Sequence, residues 1–259
     1  MKTRWLAIVG RKGGSGKTAL ALGLAAHYAR AGRRVLVVDL DPQGSASVAL
    51  GADPTGEDLT SVLGGKYQEA YPFRRFPMDA FIKPGYLAPN TLKIQTFPGC
   101  LPLELLAGGP ALEGVCAPHP LRDVLAKVPA DVVLMDCPPG HAALDRLALE
   151  AADVVLACCE PHRMGIAGAA RVLDETKGLR PRPPCALVLS RMDERRGLDR
   201  AAPDLLAGAF ALPVLTIHQD AALALALNAG GLPPASGKAA ADLAAVAAWI
   251  DQQTENKKP

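Results

Sequence analysis

Aromatic side chains are scarce in this 259-residue chain, at 4% of the residues. Long apolar runs are missing too: nothing approaches the roughly 18 continuous residues of a membrane-spanning helix, so no spanning segment is expected. Charge of one sign is also lacking. Lys and Arg number 28 against 26 Asp and Glu, a formal net of +2, too little to mark a general nucleic-acid binder. Any DNA contact would need a local arginine cluster. The six cysteines, Cys100, Cys116, Cys137, Cys158, Cys159 and Cys185, form no CxxC pair. That predicts reduced thiols in a cytoplasmic protein and argues against a structural metal site. The opening apolar run, Trp5 to Val9, is too short for the core of a signal peptide and ends in glycine, so export is not expected.

What the chain does have is aliphatic: 49% of residues are hydrophobic, mostly Ala, Leu and Val, which suits helices packed on a parallel sheet. Short apolar runs read as buried strands at Leu6 to Val9, Val35 to Val38, Val132 to Met135, Val154 to Ala157 and Ala186 to Leu189. Helical stretches at Thr18 to Arg30 and Ala142 to Ala151 alternate with them. This pattern predicts an α/β fold, a doubly wound, mostly parallel sheet flanked by helices, in a single domain over 1–259. Right-handed crossovers would place the loops after the strands along one edge, where ligands bind. An irregular excursion around 65–98, rich in aromatic, proline and basic residues, reads either as a partner-binding surface or as a cover over one sheet edge. The tail from Ala239 to Ile250 reads as an alanine-rich packing helix, without the basic face of a membrane-surface helix, and 251–259 as polar enough to fray.

The chemistry concentrates in Lys12-Gly13-Gly14-Ser15-Gly16-Lys17-Thr18. The pattern GxxxxGK[ST] fails by one position, because Arg11 stands where its first glycine belongs. The physics survives. Gly13, Gly14 and Gly16 free the backbone to wrap its N–H groups around phosphate oxygens, and the helix starting near Lys17 points its positive end at the same anion. Lys17 supplies a cation to the β- and γ-phosphates, and Thr18 a hydroxyl to Mg²⁺. Ala19 completes the nucleotide-binding run. Two further strands end in acids: Val35 to Asp41, where Asp39 and Asp41 lie on the same side of the chain, and Val132 to Asp136, followed by Cys137-Pro138-Pro139-Gly140.

The second lysine, Lys12, makes the run resemble the deviant Walker A motif of the ParA/MinD superfamily of P-loop ATPases. That resemblance implies a dimer sandwiching two ATP molecules, with Lys12 reaching a partner's active site to stabilise phosphate charge, as an arginine finger does. The bland alternative for Lys12 is a solvated charge. The segment from Asp39 to Gly44 resembles switch I, which makes Asp41 the residue that orients the attacking water beside Mg²⁺, with Asp39 supporting the Mg²⁺ or P-loop network. Ordinary loop-capping by Asp41 is the alternative. The segment from Asp136 to Gly140 resembles Walker B and switch II, with Asp136 holding a Mg²⁺-bound water and the Gly140 backbone approaching the γ-phosphate. Arg191, in Ser190-Arg191-Met192-Asp193, lies where family members place base-contacting residues.

Overall the chain is most similar to the short, Soj-like ParA type. This implies nonspecific binding of double-stranded DNA by ATP dimers, hydrolysis stimulated by a ParB-like centromere-binding protein, and partition of plasmid or chromosome cargo. The expected location is the cytoplasm, on the nucleoid when ATP is bound. Arg191, Arg195, Arg196 and Arg200 are the candidate DNA surface, with a solvated charged face as the alternative. The acid in Thr216-Ile217-His218-Gln219-Asp220, where such proteins often carry an arginine, weighs against DNA. Other uses of this fold are a MinD-like membrane positioner, disfavoured by the tail, and an iron–sulfur carrier ligating a cluster through Cys100 and Cys137. A tyrosine kinase would want a tyrosine-rich tail, and none follows Tyr86; a P-loop synthetase would not be expected to dimerise with ATP.

Overall fold

In β1 (Arg4–Val9) the pleat sends Leu6 and Ile8 into one buried cluster and Trp5, Ala7 and Val9 into another. In β2 (Val35–Asp39), Val35 and Val37 likewise part from Leu36 and Val38. A strand that must bury both faces reads as an unbroken apolar run, and a sheet of such strands needs helices on both sides. The computed structural model describes residues 2–50, 52, 59, 63, 103–113, 120–125 and 128–255. The excursion around 65–98 lies outside them, as do Cys100 and Cys116.

The remaining strands are β3 (Leu103–Leu106), β4 (Val132–Asp136), β5 (Val154–Cys159), β6 (Cys185–Met192) and β7 (Val214–His218). All seven pair in parallel in the order β3-β2-β4-β1-β5-β6-β7. The doubly wound parallel sheet expected from the strand and helix alternation is therefore present. Two strands go beyond the five apolar runs. Glu104 interrupts β3, and Thr216 and His218 interrupt β7, so neither shows the uninterrupted pattern of a central strand.

The described helices are α1 (Lys17–Arg30), α2 (Ser45–Ala49), α3 (Leu121–Val124), α4 (Ala142–Ala151), α5 (Arg163–Thr176), α6 (Gly197–Phe210), α7 (Ala221–Asn228) and α8 (Lys238–Glu255). One core joins α1 and α8 to the sheet through Leu20, Leu24, Leu243, Val246 and Ile250; the other joins α4, α5 and α6 through Leu144, Leu147, Val172 and Leu206. The tail corrects one expectation: α8 continues through Glu255 instead of fraying after Ile250. Asp251 is held by Arg4 and by the Tyr28 hydroxyl at 3.3 Å, which ties that turn to β1 and α1.

β1 is central, with β4 and β5 on either side. The loops leaving β1, β2, β4 and β5 thus converge at one edge of the sheet, the position where open parallel sheets bind ligands.

Candidate nucleotide site

The turn from β1 into α1 is shaped by glycine. Gly14 and Gly16 adopt φ +75° and +82°, in the left-handed region, and a Cβ on Gly16 would stand 2.9 Å from the Ser190 Cβ. Ser190 Oγ and Cys158 Sγ clamp the loop from β6 and β5 by donating to the Ser15 carbonyl at 2.6 and 3.0 Å. At the start of α1 no side chain caps the first turn, so its N–H groups point into the loop with the positive end of the helix behind them. Lys17 is buried and donates through Nζ to the Lys12 carbonyl at 3.3 Å. Ser15 is buried as well, and its Oγ has no hydrogen-bond partner among the described residues. A buried hydroxyl without a partner is costly unless something else satisfies it.

The strand register brings the acids to the same place. Ile8 lies opposite Asp136, and Asp39 opposite Asp136 on the other side. Thr18 Oγ1 donates to Asp136 Oδ2 at 2.7 Å, while Asp136 Oδ1 is buried with no partner among the described residues. Burial first, then the nearby Asp39, pushes the Asp136 carboxyl well above its ordinary range. A hydrated divalent cation would reverse that shift and satisfy the spare oxygen, so Thr18 and Asp136 fit Mg²⁺ bound through water.

Asp39 is bonded to the chain itself. Its carboxylate accepts from Ser47 N and Oγ at 2.8 and 2.7 Å and from Asp41 N at 3.1 Å. Ser47 Oγ in turn accepts from Gly108 N, and a Cβ on Gly108 would stand 2.5 Å from the Asp39 carbonyl oxygen. Asp39 therefore anchors α2 and the loop after β3, its buried oxygens satisfied by these bonds. Asp41 does cap its loop, accepting from Gln43 N at 2.9 Å, and it also borders the nucleotide cavity. Both readings of that residue are thus compatible with its position.

The cavity has a volume of ≈ 1010 Å³. One end is walled by Gly13 to Leu20, Asp41, Gln43, Ser45 and Pro139; the other by the ends of β6 and β7 and by α7. Apolar side chains at that far end, Met192, Ile217, Leu223 and Leu227, offer a face for a flat ring. Its carboxylates are already engaged. Asp193 accepts from Arg195 at 2.7–2.8 Å, Glu194 pairs with His218 and Lys238 at 2.9 Å, and Asp220 accepts from the first-turn N–H groups of α7.

The other expected residues are dispersed. Gly140 takes φ +76°, with the Arg11 carbonyl as the nearest atom to an added Cβ, at 3.8 Å. Arg191 sits at φ +57°, where β6 slips register against β7, and its Nη1 approaches Glu160 Oε1 at 3.1 Å and the Gly14 carbonyl at 3.4 Å on the cavity rim. That bulge re-aims the side chain toward the P-loop. Arg195 and Arg196 both pair with Asp193, at 2.7 and 3.9 Å, and Arg200 borders a separate hollow. Lys12 is half exposed and turned away from the cavity onto Glu160, Oε2 at 2.9 Å. Cys137 is buried with its thiol against the Met135 carbonyl; Cys100, its expected partner in a cluster, lies outside the described residues. Gln43, Ser45, Glu160, His162 and the far wall were not singled out as site residues by the motifs. Glu160, as a lone acid after an apolar strand, carried the same signal as Asp136.

The sheet order, glycine loop, Lys17 and the Thr18–Asp136 bond together define a P-loop ATPase. Residues 3–183 match the family described as "AAA domain". The chain is 36% identical over 201 residues to the chromosome-partitioning ATPase Soj of Thermus thermophilus, covering 76% of this chain and 72% of Soj. It is 32% identical to the chromosome partitioning protein ParA of Caulobacter vibrioides, covering 79% and 76%. Among solved structures, McdA from Cyanothece in complex with ATP superposes with a TM-score of 0.73 at 18% identity, over 99% of this chain and 98% of that one. The cobyrinic acid a,c-diamide synthase of Mycobacterium smegmatis, with bound ADP and magnesium, gives 0.71 at 24% identity, over 99% and 98%. These two likenesses concern the fold. The chain belongs to the AAA domain family and, within the ParA/MinD superfamily, to the Soj-like ParA ATPases.

Proposed function

We propose that this ATPase binds Mg-ATP at the P-loop, pairs with a second copy of itself in the ATP state, and uses hydrolysis to partition cargo. The observation that carries the reading is the division of labour between two lysines only five residues apart in the chain but facing different ways. Lys17 is buried under the phosphate cradle, whereas Lys12 leaves its own cavity and presents a cation at the rim. A cation so placed suits the phosphates of a facing chain better than those of its own.

Within one chain the roles follow from position. First-turn N–H groups of α1 and the Lys17 ammonium bind phosphate oxygens; Thr18 and Asp136 hold the hydrated Mg²⁺, which when bound neutralises phosphate charge. Asp41, at the cavity wall, orients the water that attacks. Because the far-end carboxylates are spent on Arg195, His218, Lys238 and α7, none is poised to accept the paired N–H groups of guanine, which favours adenine. Nonspecific double-stranded DNA and a ParB-like centromere-binding protein are the proposed partners, with nucleoid association in the ATP state.

A second reading, positioning of cargo without DNA, is favoured by one observation. Asp193 neutralises Arg195 and Arg196, and Glu160 holds Arg191, so the local positive field is weaker than the sequence cluster suggests. Sedimentation with Mg-ATP, with and without plasmid-length DNA, separates the two. Partition predicts ATP-dependent dimers that bind DNA with strong salt sensitivity. Dimers without DNA binding select the second reading; a chain that stays monomeric at saturating ATP overturns both.

A further inference from the structure

The Lys12 ammonium is not solvated freely; it is gathered with a second cation by one carboxylate. Glu160 Oε2 accepts from Lys12 Nζ at 2.9 Å, and Glu160 Oε1 from Arg191 Nη1 at 3.1 Å. His162 fixes the acid from behind. Its Nδ1 accepts from Gly165 N at 3.0 Å and so caps α5. With that lone pair used, the neutral ring carries its proton on Nε2, which lies 2.8 Å from Glu160 Oε2 and donates to it. Lys12 Nζ and His162 Nε2 approach to 3.1 Å; two donors tolerate that distance because both point at the same oxygen. The bonds from Lys12, His162 and Arg191 outweigh partial burial and draw Glu160 down to about 2, leaving it an anion under all ordinary conditions.

We propose that Glu160, oriented by His162, is a positioning residue that holds Lys12 within its own subunit and thereby sets the threshold for ATP-driven pairing of two chains. The proposal rests on the reading that Lys12 acts in a facing site. To reach a partner's phosphates Lys12 must leave Glu160, so the clasp competes with pairing once in each subunit. With Lys12 half exposed, the ion pair is worth no more than a surface pair. Releasing it should lower the protein concentration at half-pairing by about threefold to tenfold, counting both subunits. Arg191 loses the same anchor and becomes free to follow the nucleotide.

The test pairs two measurements on the full chain. In nucleotide-free protein, the rate of amine acylation at Lys12, read by mass spectrometry, should rise severalfold in Glu160→Gln and less in His162→Asn, which keeps a helix-capping acceptor but shortens the reach to Glu160. With saturating Mg-ATP, sedimentation should show both variants pairing at lower concentration than wild type. In the Lys12→Ala background the Glu160→Gln shift should vanish, as coupling through Lys12 requires. An unchanged acylation rate, a threshold that stays or rises, or a shift that persists without Lys12 would each overturn the clasp. If instead wild type fails to pair, or Lys12→Ala pairs as well as wild type, the facing-site reading itself has failed and the clasp falls with it. His162→Asn keeps the test decisive if Glu160→Gln does not fold.

Discussion

The two ends of the nucleotide cavity are built on opposite principles. At the P-loop end, polar atoms are buried without partners among the described residues: Ser15 Oγ and Asp136 Oδ1 lack hydrogen bonds there, and α1 starts with no side-chain cap. At the far end every lining carboxylate named above is already bonded, and Met192, Ile217, Leu223 and Leu227 add an apolar face. The first end is unfinished without an anion and a cation. The second is finished, and offers shape and apolar area. Chemistry belongs at the end with unmet bonding capacity, and recognition of a ring at the end without it.

Lys17→Ala breaks that contrast most severely. It removes a buried cation from the unfinished end, and phosphate release should fall about 10³-fold, the scale of a lost preorganised charge at a transition state. A steady-state phosphate assay checks this, with a urea midpoint near wild type to show that the chain still folds. Asp41→Ala comes next. Asp41 touches the cavity through a loop that Gln43 N also stabilises, so hydrolysis should drop about 10²-fold while nucleotide binding persists. Equal loss of nucleotide binding, measured by calorimetry, would reduce Asp41 to a loop cap.

What the sequence alone makes legible divides along the same line. Gly16, Lys17 and Thr18 are contiguous, and Asp136 closes an apolar strand, so the unfinished end shows itself as charge where the pattern calls for Val or Leu. The far wall did not, because Ile217, Leu223 and Leu227 look like core residues in any helix or strand. Asp39 and Asp41 share a spacing, but only folding reveals that one faces Ser47 and the other the cavity. The Lys12–Glu160 pair spans 148 residues, beyond the reach of any local pattern. The polarity of Asp251 predicts fraying, yet Arg4 and the Tyr28 hydroxyl, both distant in sequence, hold it in the fold.

Arg11, the residue that spoils the usual P-loop spelling, supplies a third prediction. Its guanidinium reaches the buried Asp145 on α4 at 2.9 Å and also Glu175 on α5. Burial pushes Asp145 up to about 7, against the pull of Arg11. The folded state therefore binds this proton more tightly than the unfolded chain. The stability it contributes is complete below the ordinary carboxylate range near pH 4 and is lost as pH rises through 7. Between pH 5 and 8 wild type should lose about 2–3 kcal/mol relative to Asp145→Asn. Urea midpoints of the two proteins against pH check it; parallel profiles would mean that Arg11 keeps Asp145 ionised throughout.

The smallest effect should come from the finished end. His218 lies between Asp242 Oδ2 at 2.8 Å and Glu194 Oε1 at 2.9 Å, joining β7 to α8 and to the loop after β6. Its backbone N–H also donates to Asp242, so His218→Ala loses only the side-chain bonds. Glu194 would keep Lys238. The cost to stability should be about 1 kcal/mol, the net worth of bonds whose partners can turn to water at this partly exposed edge. Loosening the wall that faces the ring should raise KM for ATP a few-fold and leave kcat nearly unchanged, since uniform binding is lost and no group at the reacting phosphate moves. If kcat falls as steeply as it does for Asp41→Ala, the two ends do not divide recognition from chemistry, because a purely recognitive wall cannot slow a step it never touches.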